Sequence, residues 1–132
     1  YSMIGVGRSV AQNSGNGTEL YVVTGHAPRH LDKNVTLVGR VVQGMELLST
    51  LPRGTGSMGF YKTSSEQTKI KSIRTGNQLP KEKQIQLAIL RTDTQVFQQF
   101  VKAKSYRVEE WFVEPTGKIE LCNIQLPIRQ IR

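Results

Sequence analysis

The sequence predicts a mainly β fold with short helices, followed by an α+β segment at the C-terminal end. Short runs of β-forming residues separated by loops rich in glycine, serine and asparagine favour strands in the first part. An apolar stripe at helical spacing within residues 96–101 predicts a helix in the second part. With 132 residues, the chain has about the length of one domain.

Four strands are predicted in the first part of the chain. In order, they span residues 3–7, 18–24, 35–42 and 69–75. In the second strand, TELYVVT, side chains alternate between the two faces, so Glu19 and Tyr21 share a face. Gly39 interrupts the third strand and predicts a bulge or a close approach of another backbone. The fourth strand, KIKSIRT, is assigned because its polar and apolar residues alternate.

One short helix is predicted between the third and fourth strands. The segment QGMELLSTL, residues 43–51, suits a helix of two turns. This helix should bury Met45 and Leu48, with Leu51 as a further candidate. The segments between the elements are loops, because glycine, proline and asparagine interrupt any regular period in them. These loops cover residues 9–17, 25–34 and 52–60.

The composition changes near Gly76, and two helices are predicted beyond it. Pro80 suits the first turn of a helix over residues 81–90, in which Ile85 and Ile89 stand four residues apart. A second helix follows, with Thr92, Asp93 or Thr94 as its N-cap. We expect one apolar stripe of this helix to be core: Val96, Phe97, Phe100 and Val101.

A strand pair is predicted near the C-terminal end. Its strands are residues 111–113 and 118–124, and the residues EPTG at 114–117 are typical of a turn between them. Cys122, the sole cysteine, is interpreted as a small apolar residue in the second of these strands.

Charge and composition argue against several classes of partner. The chain has 18 basic and 10 acidic residues, a formal net charge of +8, but no basic stripe with interleaved aromatic residues, so we expect no nucleic-acid partner. No apolar run approaches the ~20 residues that a membrane helix needs, so we expect no membrane partner. Pro28 separates His26 from His30, and we expect no metal site and no cofactor.

Three segments between residues 2 and 76 share an order and spacing with a known family. They are SMIGVGR, NGTELYVVT and HLDKNVTLVGRVVQGMELL. They resemble the second half of a cyclophilin-type peptidyl-prolyl cis-trans isomerase. GHAPRHLDKN, LPRGTG and GFY resemble a divergent bacterial branch that carries a C-terminal extension. The resemblance implies that residues 1–76 are the C-terminal half of a cyclophilin-like barrel, and residues 77–132 an extension packing on it.

The resemblance implies a fold, an activity and partners. The family fold is an eight-stranded antiparallel β-barrel with two helices, which would be present here in part. The implied activity is rotation of X-Pro peptide bonds in protein substrates, which assists folding, against a barrier of ~18–20 kcal/mol. The expected partners are proline-containing polypeptides and the missing first half of the domain. The family branch also suggests a periplasmic location, which the residues themselves do not indicate.

The catalytic residues of this chain are unknown at the sequence level. In the family, an arginine donates toward the proline nitrogen and lowers its conjugation with the carbonyl group. That arginine and the Phe-Met-x-Gln segment belong to the first half of the domain and have no counterpart in this sequence. We therefore expect the catalytic arginine to come from the missing half.

Seven positions match substrate-binding positions of the family: Gly7, Arg8, Glu19, Tyr21, His30, Leu31 and Val35. By resemblance, the first two form a strand end whose backbone pairs with the substrate. Glu19 stands where the family has glutamine, and Tyr21 where it has a phenylalanine of the proline pocket.

The remaining three positions lie around the second loop. By resemblance, His30 occupies a variable position that is often tryptophan, Leu31 matches a pocket leucine, and Val35 stands where many members have histidine. An apolar pocket of Tyr21, Leu31 and Val35 would hold a proline ring.

Three functions stay open from the sequence. The first is the isomerase, and the second is a module that binds proline-containing peptides without turnover, which the exchange of glutamine for Glu19 favours. The third is a structural domain whose groove is filled by its own residues 77–132.

Overall fold

The computed structural model describes residues 1–120 and 123–131, which fall into two compact units. We call Tyr1–Gln84 the N-terminal unit and Ile85–Arg132 the C-terminal unit. Each contains one small antiparallel sheet and one α-helix, so the described residues are mixed α+β rather than mainly β. They form no closed barrel, and the boundary at Gly76 stays a prediction.

The sheet of the N-terminal unit has three strands, β1 (Met3–Val6), β2 (Leu20–Val22) and β3 (Thr36–Arg40). β1 lies in the centre and pairs antiparallel with both neighbours, so these three predicted strands are confirmed, each shorter than predicted. The register of β1 against β3 shifts after Ile4, which leaves Val38 without an opposite residue. A bulge or close approach was predicted at Gly39, and the structure has a bulge at the neighbouring Val38.

The helix of the N-terminal unit, α1, spans Met45–Ser49. It begins after Gly44, whose φ of 84° lies in the left-handed region that glycine adopts without strain. Met45 is buried with 7% of its surface exposed, and Leu48 is half-buried. Leu51 lies beyond the helix and is 42% exposed, so its expected burial is wrong.

The loop after α1 is held by one carboxylate. Glu66 accepts hydrogen bonds from the backbone N–H groups of Thr55 and Lys62, each at 3.0 Å, and from the Thr55 hydroxyl at 2.6 Å. Two backbone bonds cross the same loop, from Gly54 to Gly59 and from Gly56 to Phe60. Short 3₁₀ turns occupy Arg29–Leu31, Ser57–Gly59, Ser64–Glu66, Gly76–Gln78 and Lys81–Lys83.

The strand predicted at residues 69–75 is wrong. This segment pairs with no strand among the described residues, and Ile70 and Ile73 are each 77% exposed. These two isoleucines are three residues apart, so in a strand they would point to opposite faces. The segment therefore lacks the single apolar face that would hold it on a core.

The C-terminal unit contains β4 (Leu87–Ile89), α2 (Gln95–Ser105) and β5 (Ile128–Gln130). β4 pairs antiparallel with β5. The helix predicted at residues 81–90 is wrong, because a 3₁₀ turn and β4 occupy that range. Ile85, Leu87 and Ile89 alternate with polar or small residues, and this period of two indicates the strand that the structure shows.

The predicted second helix is confirmed as α2. The Thr94 side chain caps it by accepting a hydrogen bond from the Phe97 N–H at 3.3 Å. Of the predicted stripe, Phe97, Phe100 and Val101 are half-buried and Val96 is 61% exposed. The stripe is therefore only partly covered by the described residues.

The strands predicted at residues 111–113 and 118–124 are not formed among the described residues. Trp111 and Val113 are 84% and 103% exposed, so these two apolar residues do not enter the core. Leu121 and Cys122 lie outside the described residues, so the interpretation of Cys122 stays a prediction. Over residues 1–120 and 123–131, no helix has both the length and the apolar character needed to cross a bilayer.

Candidate functional site

An open depression of about 570 Å³, here called the β1-end depression, lies where β1 ends. Five of the seven predicted site residues line it: Gly7, Arg8, Tyr21, Leu31 and Val35. The other lining residues are Val6, Ser9, Val10 and Asn34. Residues from β1, β2 and the loop before β3 thus meet at one place, although up to 29 positions separate them in the sequence.

The Tyr21 ring lies against β1 because its cross-strand partner is a glycine. The strand register puts Tyr21 opposite Gly5. A Cβ atom at Gly5 would lie 2.2 Å from both Cζ and Oη of the tyrosine. The half-buried ring therefore occupies space that any other residue at Gly5 would fill.

The Arg8 guanidinium is fixed by backbone carbonyl groups. Its Nε and Nη2 donate to the Asn34 carbonyl oxygen at 3.3 and 3.1 Å. Its Nη1 donates to the carbonyl oxygens of Ser9 at 2.9 Å and Val10 at 3.4 Å. These bonds use four of the five guanidinium N–H groups and leave one on Nη2. The arrangement ties the end of β1 to the turn before β3 and puts a positive charge beside the depression.

The turn before β3 presents two apolar side chains to the depression. Leu31 ends a 3₁₀ turn and is 38% exposed, and Val35 is 39% exposed. The Asn34 side chain stabilises this turn by donating to the carbonyl oxygens of Asp32 at 2.9 Å and His30 at 3.3 Å. The apolar surface of this wall is thus open to solvent and available to a ligand.

Glu19 and His30, the other two predicted residues, do not line the β1-end depression. The Glu19 carbonyl accepts the Gly7 N–H at 2.8 Å, and its side chain lies over Gly7, with Oε2 3.0 Å from where a Cβ would stand. Its carboxylate is therefore beside the strand end. His30 is exposed in the 3₁₀ turn.

Gly5 and Asn34 also shape the depression, although neither is among the seven site residues predicted from the sequence. Asp-Lys-Asn before a strand is typical of a turn, and this signal would have identified Asn34. Gly5 had no such signal, because its importance comes from the strand register. Across the part of the chain that the structure describes, no three His, Cys, Asp or Glu side chains gather as metal ligands would.

Comparison with known proteins identifies the family. The family model described as cyclophilin type peptidyl-prolyl cis-trans isomerase/CLD matches residues 2–75. No curated protein matches the chain. The matched segment covers more than half of the chain and contains β1, β2, β3, α1 and every residue of the β1-end depression. The chain belongs to the cyclophilin-type peptidyl-prolyl cis-trans isomerase family.

Proposed function

We propose that this chain acts in the cis–trans isomerisation of X-Pro bonds in protein substrates, and that the β1-end depression receives the proline ring. One observation carries the proposal: five residues chosen by family position line a single depression. Family membership supports the same reaction and a proline-containing peptide as its substrate class.

The chemistry of the depression suits a proline side chain. The Tyr21 ring, Leu31 and Val35 offer apolar contacts. Burial of apolar surface contributes roughly 25 cal/mol per Å². The Gly7 N–H is already bonded to Glu19, so we propose that other backbone groups of the strand end hold the peptide.

We propose that the catalytic arginine is supplied by a segment equivalent to the first half of a cyclophilin domain. The outer edges of β2 and β3 pair with no strand among the described residues. Leu20, Leu37 and Val38 on these strands are 54%, 45% and 58% exposed. Further strands of the same domain would cover such edges. An arginine from that segment would bind the twisted amide better than either planar isomer, which is what accelerates the rotation.

Glu19 favours a second candidate function, a module that binds proline-containing peptides without catalysis. A carboxylate in place of an amide lacks two hydrogen-bond donors and adds a negative charge. In this chain that charge lies over Gly7 at the strand end. A peptide could then bind in the depression while the contact that orients it for rotation is missing.

The test compares exchange and binding on one peptide. Exchange spectroscopy on a peptide with a single X-Pro bond gives the isomerisation rate, with the chain alone and with an added first half of a cyclophilin-type domain. We expect catalysed exchange to fall about tenfold in Tyr21→Leu, because the floor of the depression is lost. The matched control, Tyr106→Leu, removes a tyrosine outside the segment that matches the family and should leave the rate unchanged.

Three outcomes separate the candidates. Faster exchange that depends on Tyr21 supports the isomerase. Binding that depends on Tyr21, with no change in exchange rate under either condition, supports the binding module. In that case Glu19→Gln should strengthen binding, whereas Glu82→Gln, which removes an exposed carboxylate outside the matched segment, should not. If the chain neither binds the peptide nor accelerates its exchange, both functions are ruled out.

A further inference from the structure

A second cavity, of about 650 Å³, lies within the C-terminal unit and outside the segment that matches the family. We call it the C-terminal cavity. It is formed by the last two turns of α2 and by residues within 107–119 and 123–127. Its volume falls within the roughly 300–1,000 Å³ that small-molecule sites occupy. The proposed isomerase reaction makes no use of it.

The floor of the C-terminal cavity is apolar. Phe100 on α2 and Phe112 after it contribute aromatic rings, both half-buried. Ile124, only 4% exposed, is the most buried hydrophobic residue of the part that the structure describes. Leu126 and Pro127 complete this surface. An apolar body placed here would lose contact with water on several sides.

The rim of the same cavity is cationic. Lys104, Arg107 and Lys118 line it, and no described lining residue carries a carboxylate. The Lys104 ammonium lies 5.6 Å from the centroid of the Phe100 ring, and the Arg107 guanidinium carbon lies 4.8 Å from that of Phe112. The positive charges are therefore held directly beside the apolar floor.

Glu109 lies near two of these three charges, because its own backbone N–H, the hydrogen bond from Arg107 and the charges of Arg107 and Lys104 together lower the pKa of its carboxyl group. Arg107 donates to Glu109 at 3.2 Å, so its charge is partly offset. Within residues 1–120 and 123–131, no ion pair within 4.0 Å joins Lys104 or Lys118 to a carboxylate. Lys104 also lies in the last turn of α2, where a cation is favoured by the helix dipole. Lys118 has no such role in a helix, and its charge is the clearer sign of an anionic ligand.

We propose that the C-terminal cavity binds a small amphipathic anion. The aliphatic or aromatic body of the ligand would lie on Phe100, Phe112 and Ile124. Its carboxylate would lie between Lys104 and Lys118. A neutral apolar ligand would leave the cationic rim unused, and a hydrophilic anion would leave the floor in water.

Octanoate is a suitable probe, and octan-1-ol is its uncharged counterpart. Titration of the full chain by calorimetry should show saturable binding of one octanoate, with octan-1-ol bound at least about threefold more weakly. In ¹H–¹⁵N spectra, the amide signals that shift should belong to the end of α2 and to residues 112–120 and 123–127. Octanoate binding should also weaken with added salt, because the Debye length falls from ~30 Å at 0.01 M to ~3 Å at 1 M.

Variants separate a built site from general surface binding. Lys118→Gln should weaken octanoate about threefold and leave octan-1-ol unchanged. The matched control is Lys102→Gln, which removes an exposed lysine of α2 that does not line the cavity. Each of three results would overturn the proposal. Octanoate and octan-1-ol could bind with equal affinity, the two lysine variants could lose octanoate affinity equally, or the amide signals that shift could be spread over the N-terminal unit.

Discussion

At the scale of single residues, two glycines on neighbouring strands have different surroundings. A Cβ at Gly5 would overlap the end of the Tyr21 ring, whereas the nearest atom to a Cβ at Gly39 is a methyl carbon of Ile4 at 4.0 Å. Because the overlap involves the far end of a side chain, the ring can swing away while the strands stay paired. Gly5 therefore controls the position of Tyr21 more than the stability of the sheet.

Gly5→Ala should weaken binding of a proline-containing peptide about as much as Tyr21→Leu does, because both changes remove the ring from the depression. Gly39→Ala should leave binding unchanged, since its Cβ meets nothing closer than 4.0 Å. Peptide titration of both variants, with thermal unfolding as a check on folding, measures this. If Gly5→Ala loses peptide binding only to the extent that it unfolds, the proposed role of Gly5 in placing the Tyr21 ring is contradicted.

Glu66 holds its loop through an ionised side chain. The hydrogen bond from the Thr55 hydroxyl, followed by those from the Thr55 and Lys62 N–H groups, lowers the pKa of Glu66 below its ordinary value of 4.5. A lowered pKa means that folding favours the charged form. These bonds therefore stabilise the loop above pH 4.5 and are lost as the pH falls through the lower pKa of the folded protein.

The amide signals of Thr55 and Lys62 should titrate together, with a midpoint below 4.5, in ¹H–¹⁵N spectra recorded from pH 7 downward. In Glu66→Gln, both signals should already differ at pH 7 and should lose this titration. Glu46→Gln serves as the matched control, because Glu46 lies on α1 and takes no part in these bonds. A midpoint at or above 4.5 would contradict the proposed network.

The candidate site was partly predictable from the resemblance of the sequence to the cyclophilin family. Gly7, Arg8, Tyr21, Leu31 and Val35 were named from the sequence, and they line one depression. The path of the Arg8 guanidinium to the Asn34 carbonyl was not predictable, because it depends on where the turn before β3 lies in space. Sequence spacing carries no information on such long-range bonds.

At the scale of elements, α2 is the longest helix or strand among the described residues. It has a side-chain cap at Thr94, lysines in its last turn and a contact between Phe97 and Phe100, whose centroids are 6.1 Å apart. Residue Asp93, just before the cap, pairs with Arg91. The cap residue, the helical spacing of the apolar residues and the lysines of the last turn all indicate a helix over the same residues. This agreement is why α2 was predictable.

Thr94→Ala should destabilise the C-terminal unit by about 1 kcal/mol, because the Phe97 N–H loses its acceptor. Thr94→Ser keeps a hydroxyl at this position and should retain most of the stability. Chemical denaturation followed by far-ultraviolet circular dichroism gives both values. Equal stability of the alanine and serine variants would show that the cap contributes nothing.

Elements without such agreement were predicted poorly, and each for a physical reason. Residues 81–90 contain two periods at once, because Ile85 and Ile89 fit a helix while Ile85, Leu87 and Ile89 fit a strand. Pairing of β4 with β5, about 40 positions away, decided between them. A strand that depends on a distant partner cannot be identified from its own residues alone.

At the scale of the whole molecule, apolar residues in water are the main feature of the N-terminal unit. Among the described residues of this unit, Met45 alone is a large hydrophobic residue with a buried side chain. Val38 on β3 is 58% exposed, and β3 has an unpaired outer edge among the residues described. Exposed apolar strands with free edges favour pairing with another chain.

The chain in isolation should therefore self-associate as its concentration rises, which sedimentation velocity can follow. Val38→Lys should shift the protein toward monomer, because a charge on an edge strand opposes pairing. Ile70→Lys is the matched control, since Ile70 is 77% exposed but lies outside the sheet. If both substitutions shift the protein toward monomer equally, association comes from general hydrophobicity and not from the edge of β3. A protein that stays monomeric at all concentrations would contradict the prediction.

The pairing of β4 with β5 brings the two ends of the C-terminal unit together. Leu87 lies opposite Gln130, and opposite residues of antiparallel strands are about 5 Å apart. A unit whose ends nearly touch is suited to circular permutation, with the old ends joined by a short linker and new ends opened in the exposed segment around Val113. For the same reason, the unit could be inserted into a surface loop of a host protein without separating the two sides of that loop.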